Sequence, residues 1–175
     1  MDLQDISIEN LKLDVYNLWD GAWLLLTAGD FTGKRYNSMT VSWGGIGSLW
    51  ERPVAQVFVR PQRYTYEFIN QFDTFTLCAF PKNYRKALSL MGSRSGRDLD
   101  KAKAAGITPV AARSVAAPVF SEAELMIECR KLYWADFDPS HFLDNSILEN
   151  YPAKDYHRIF YGEILCVRGS EKYLG

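Results

Sequence analysis

Asn37-Ser38-Met39-Thr40-Val41-Ser42-Trp43-Gly44-Gly45-Ile46-Gly47 reads as a β-strand with an unusual surface. A strand built only for packing fills alternate positions with large apolar side chains. Here Ser38, Thr40 and Ser42 hold the alternate positions, with Asn37 beside them, short groups that donate and accept hydrogen bonds. Three glycines in four positions let a backbone or a flat group come close. The combination suits a polar, planar ligand lying along a sheet. A bulged strand turning a barrel corner is the other reading of the same glycines.

The neighbours of this stretch are strands as well. Ala22–Ala28 is an apolar run, and Gly29-Asp30-Phe31-Thr32-Gly33 is a turn, so Asn37–Gly47 is expected to pair back on it as a hairpin. Pro53–Arg60, Asp73–Phe80, Glu124–Tyr133 and Arg158–Val167 are four more strands. Thr65–Phe72 predicts a short helix with Thr65 as its N-cap, and Asn83–Met91 and Asp98–Ala105 predict two more. Gly106 stops the last. His141–Tyr151 is a polar excursion. Strands dominate and no βαβ rhythm is present, so the expected architecture is a closed or partly closed antiparallel barrel with helical insertions. The 175 residues suit a single domain.

Composition narrows the function classes. The net charge is −1, which gives no global basic character for nucleic acid. No apolar run is long enough to span a bilayer, and the acidic Met1–Asp5 start has no signal-peptide pattern. Cys78, Cys129 and Cys166 are far apart and set in apolar runs; they read as reduced core residues of a cytoplasmic protein. No Cys or His spacing suggests zinc, and no Gly-x-Ser-x-Gly elbow occurs. Charge is uneven, however. Between Glu51 and Arg113 there are eleven Lys/Arg against five Asp/Glu, leaving nine against sixteen elsewhere.

Two segments of that basic middle suit an anion. Arg60-Pro61-Gln62-Arg63-Tyr64-Thr65 lies where a strand ends and a helix begins, and a helix start offers free N–H groups. A capped helix with two solvated arginines is the plainer alternative. Each charge-assisted hydrogen bond there contributes roughly 1.5–3 kcal/mol, so two or three plus ring burial reach about −8 kcal/mol, near micromolar. Ser93-Arg94-Ser95-Gly96-Arg97 is a second such loop, although its glycine spacing is not that of a Walker A motif. His157 opens the last strand, either as a surface residue or as the polar group beside a reactive ring.

In their order, these segments resemble the flavin reductase-like family, the FMN-binding split barrels, and its flavoredoxin-type branch in particular. The matching residues are Asn37–Gly47, Arg60–Thr65, Gly92–Asp98 with Asp100-Lys101, Gly106–Pro109, and His157 leading into Phe160-Tyr161-Gly162-Glu163. The resemblance implies a mostly β, six-stranded antiparallel Greek-key split barrel over residues 1–175. It implies a homodimer with FMN near the subunit interface. Asn37, Ser38, Met39, Thr40, Ser42 and Trp43 match the strand along the flavin ring and ribityl chain. Arg60, Arg63, Tyr64 and Thr65 match the phosphate-binding turn, and Ser93, Ser95 and Lys101 match a loop that closes over the cofactor. His157 matches a histidine on the nicotinamide side and is the candidate catalytic residue. Ala102-Lys103 stand where relatives often carry an aromatic, and Arg158 stands where a small polar residue is usual.

The implied activity is an oxidoreductase: NAD(P)H passes a hydride to flavin N5. The donor NH groups near Ser42–Gly45 are expected to stabilise charge on the reduced ring. A flavoredoxin-type electron carrier with tightly held FMN, served by a partner protein, is the alternative; a non-catalytic flavin- or haem-binding module, or a purely structural barrel, is another.

Overall fold

Leu24–Asp30 (β2) and Arg35–Val41 (β3) form the expected hairpin, paired from Leu24↔Val41 to Asp30↔Arg35. The computed structural model describes residues 2–175. The strand does not continue to Gly47. It ends at Val41, and after Ser42-Trp43 a new strand, Gly44–Leu49 (β4), pairs instead with Arg52–Val59 (β5). The remaining long strands are Thr74–Ala79 (β6), Leu125–Asp136 (β9) and Arg158–Gly169 (β10). A two-residue β1, Gln4–Asp5, adds to β10. Two short strands, Pro109–Val110 (β7) and Val119–Phe120 (β8), form a separate ladder.

The main sheet has eight strands in the order β3-β2-β6-β9-β10-β5-β4, with β1 beside β10. The six expected strands became eight for two reasons: Asn37–Gly47 divides, and β1 is too short to leave a periodic signal. Every pairing is antiparallel. β3 and β4 occupy opposite edges, yet only Ser42 and Trp43 separate them in the chain. Three Cα–Cα steps reach at most about 11 Å. The sheet must therefore curl until its two edges meet at this link, forming a barrel closed by chain instead of by a ladder.

Alternation along the strands sorts two cores. Leu24, Leu26, Met39, Val57, Phe75, Leu77, Ile127 and Phe160 fill the barrel interior. Leu25, Cys78 and Met126 point outward, under Leu88 and Met91 of α2 (Arg85–Ser93) and Ala102 of α3 (Lys101–Ala105). Each fully buried side chain of this size contributes roughly 1.5–3 kcal/mol. α3 begins at Asp100, whose side chain accepts from Lys103 N–H, and ends at Gly106 with φ +67. α1 spans Tyr64–Gln71, one residue earlier than expected. Thr65 is inside it and buried, so it is not the cap; Arg63 holds that position without a side-chain bond.

Gly44 answers what the glycines are for. A Cβ there would overlap the indole of buried Trp19. The flat group admitted by this backbone is therefore the protein's own tryptophan, and the register with β5 runs through Gly44 and Gly45 without a bulge. Gly47 faces open space.

Candidate functional site

A cleft runs along β3. Its first compartment, about 290 Å³, is walled by Met39, Thr40, Ser42, Trp43, Arg60 and His157, among others. A second, about 180 Å³, shares Met39 and Arg63 with it and adds Asn37, Tyr64, Thr65, Ser93, Ser95 and Lys101. β3 is an edge strand, so backbone polar groups along its outer side have no strand partner. Such an edge can meet the polar rim of a planar ligand. Gly44, Gly45 and Gly47 do not line either compartment; Gly44 and Gly45 are paired with Val57 and Gln56 of β5. Of the stretch expected to supply donors to a ring, only Ser42 and Trp43 reach the cleft.

The other sequence-identified residues take distinct positions. Asn37 is buried and donates through Nδ2 to Thr65 Oγ1 at 2.7 Å, which ties β3 to the start of α1. Ser38 turns its hydroxyl away from the two compartments, into a 2.7 Å hydrogen bond with Thr27. Its carbonyl accepts from Lys101 Nζ at 2.5 Å. Thr40 Oγ1 donates to Leu88 O at 2.5 Å and pins α2 to the strand. Ser93 Oγ donates to Ser89 O, and Ser95 Oγ accepts from Arg97 N–H. His141 lies outside the cleft, exposed beside Asp138.

Arg60 departs from the expected phosphate turn. It lines the first compartment, not the second. Its guanidinium bonds Asp155 at 2.9 Å and Asn150 O at 2.8 Å, and lies over the Tyr151 ring. Arg63 and Lys101 remain for an anion. Arg63 donates to Gly92 O, and Lys101 Nζ donates to Ser38 O and to Met91 O at 3.0 Å. Neither has a carboxylate partner among the described ion pairs.

The electrostatics record this excess of positive charge. Burial, then Arg60, lowers the Arg63 guanidinium from its usual value. Burial, then Arg63, pulls Lys101 down to about 8. Burial, then Arg60, pulls His157 down to about 4 despite the opposing pull of Asp155. Cations that depress one another in this way are relieved by an incoming anion.

His157 is held as a neutral ring. Tyr151 Oη and His157 Nδ1 are 2.8 Å apart, and the ring centroids of Trp43 and His157 are 5.1 Å apart. Arg158 points elsewhere: it bonds both oxygens of Asp136 at 2.7 Å, reaches Asn70, and stacks on Trp134. It does not line the cleft. Sequence reasoning missed Phe58, a wall of the first compartment, and Tyr151 and Asp155, which orient His157 and Arg60. Phe58 sat in a strand run with no polar signal. Tyr151 and Asp155 belong to an irregular excursion whose contacts are tertiary.

The residues fit a phosphorylated, planar ligand. Gly96 permits the loop to seat, since a Cβ there would overlap the Asn37 side chain and press on Tyr64. A flavin reductase like domain matches residues 21–174. The chain belongs to the flavin reductase-like family.

Solved structures of low identity share the fold. An FMN-binding domain of a flavin reductases-like enzyme from Shewanella baltica superposes with a TM-score of 0.69 at 16% identity, covering 96% of this chain and 77% of that one. A flavoredoxin of Desulfovibrio vulgaris (Miyazaki F) gives 0.67 at 24% identity over 97% and 78%. The NADH:FAD oxidoreductase of Streptomyces globisporus C-1027, in complex with NAD and FAD fragments, gives 0.62 at 18% over 83% and 73%. A comparison with curated protein sequences finds no match. The split-barrel expectation therefore stands, with the strand count corrected.

Proposed function

We propose that the cleft binds FMN and that the chain is an NAD(P)H-dependent flavin reductase. The observation that carries this reading is a pair of partly buried cations without carboxylate partners among the described ion pairs, set beside an unpaired strand edge: Arg63 and Lys101 at one end, His157 and Trp43 at the other. Arg63, Lys101 and the Ser93–Arg97 loop would hold the phosphate. Met39, Thr40, Ser42, Trp43 and Phe58 would flank the ring.

When bound, a flavin supplies two-electron transfer, with a nicotinamide as hydride donor. The chain's own part is to bind, orient and exclude water. Trp43 and Phe58 give the first compartment apolar walls. Tyr151 fixes the His157 ring, which stays neutral at pH 7 and so stands beside the reaction as an uncharged polar group. No side chain is required as a nucleophile.

Partner and compartment belong to the same proposal. The exposed Trp50 and Tyr133, packed with the half-buried Tyr161, support a homodimer, and three free cysteines support a cytoplasmic setting. The likeness to flavoredoxins over nearly the whole chain supports a second reading, an electron carrier that keeps its FMN. NADH and NADPH oxidation measured with added FMN, FAD or riboflavin separates the two. Turnover supports the reductase. Yellow protein that survives gel filtration without turnover supports the carrier.

A further inference from the structure

Away from the cleft, a cavity of about 280 Å³ lies at the start of α2. Its wall is largely apolar: Phe80 and Leu88 are 4% and 2% exposed, with Ala22 and Pro81 beside them. Lys82 and Arg85, both exposed, line it as well, and no carboxylate does. Neither cation takes part in the described ion pairs. The cavity shares no wall residue with the two compartments of the cleft.

Arg85 is fixed in place. Asn17–Ala22 wind as a π-helix that ends at Trp23, whose φ is +67. A bulky side chain seldom adopts that backbone, and it persists only where the surroundings enforce it. Arg85 supplies the enforcement. Its Nη1 donates to Gly21 O at 2.6 Å and to Ala22 O at 3.1 Å, and its guanidinium lies 3.1 Å from the centre of the Trp23 ring. These are carbonyls of the kind a helix end leaves without partners. The N–H groups on Nε and Nη2 have no partner among the described hydrogen bonds. The rotamer freedom of this arginine is thus already lost before any ligand arrives, and its planar fork matches a carboxylate. A helix cap alone needs neither the second cation, Lys82, nor the apolar cavity beside it.

We infer that this cavity binds a small carboxylate with a compact apolar body, an aromatic acid being the form that suits its walls. The carboxylate meets Arg85 and Lys82, and the ring covers Phe80 and Leu88. The inference stands independently of the flavin reading of the cleft. Benzoate titrated into the full chain, followed by amide and indole NMR, tests it, with benzyl alcohol as the uncharged counterpart and acetate as the anion without a ring. Saturable shifts are expected at the Trp23 indole N–H and at the amides of Ala22, Lys82 and Arg85, with benzoate binding about 10-fold or more tighter than either control. Lys82→Glu changes an exposed side chain with no described hydrogen bond and is expected to weaken benzoate about 10-fold or more, and benzyl alcohol much less. Arg85→Lys, which keeps the charge and loses the fork, is expected to weaken benzoate as well; should it disturb the Trp23 backbone, Lys82→Glu decides alone. Shifts confined to the Arg63–Lys101 cleft, equal affinities for benzoate and benzyl alcohol, or a Lys82→Glu chain that binds benzoate as the native chain does each overturn the site.

Discussion

Arg63 donates to the carbonyl of Gly92 and has no carboxylate partner among the described ion pairs. Its removal takes a charge-assisted bond from a phosphate, which riboflavin lacks. Arg63→Ala is expected to weaken FMN about 10- to 100-fold and riboflavin much less, as read by flavin fluorescence titration. His157 supplies the complementary pH test. Its folded value near 4 lies below the ordinary 6.5, so the unfolded chain takes up the proton first as pH falls. The stabilisation from keeping this ring neutral is complete above about 6.5 and is lost progressively from there down to about 4. Urea midpoints measured across that window should decline in the native chain and decline less in His157→Gln. Between pH 7 and 8 the rate of flavin reduction should show no break from this residue. The polar and charged members of the cleft were readable from residue type, because Arg, Lys and His advertise their chemistry. Tyr151 was not, since a tyrosine in an irregular segment names no partner until the fold brings His157 to it.

Among elements, the β3–β4 link decides most. Six strands were visible from apolar runs and alternation, and the helices Asn83–Met91 and Asp98–Ala105 from spacing and a terminal glycine. The break at Ser42-Trp43 was invisible, because small polar residues continue through it without a turn signal. The purpose of Gly44 was equally hidden: Trp19 lies 25 residues away in the chain and reaches it only after the barrel closes. Gly44→Ala drives a methyl into that indole. A loss of about 1–3 kcal/mol is expected, seen as a lower urea midpoint with unchanged slope. A second buried element contact is Glu128, whose carboxylate accepts from Arg113 N–H at 3.0 Å and Ser114 N–H at 2.6 Å. It fixes the connector that leads into β8, and no motif in the sequence marked it.

For the whole molecule, cofactor and fold are thermodynamically linked. A ligand that binds only the folded chain adds about 2.7 kcal/mol at one hundred times its dissociation constant. For a chain of this size each kcal/mol moves the midpoint by about 2–4 °C, so saturating FMN should raise Tm by roughly 5–11 °C in differential scanning fluorimetry. Riboflavin, which lacks the anion, should raise it less. A Tm indifferent to every flavin would remove the proposed function.

The hoop of strands is stitched at one point by two residues of chain and is otherwise ungirded between its first and last staves. Its gape is thus free to respond to whatever lodges in the slit. Deuterium should enter amides along the outer margin of Arg35–Val41 readily in the ligand-free protein. It should enter them slowly once FMN is present, while the interior staves exchange alike in both.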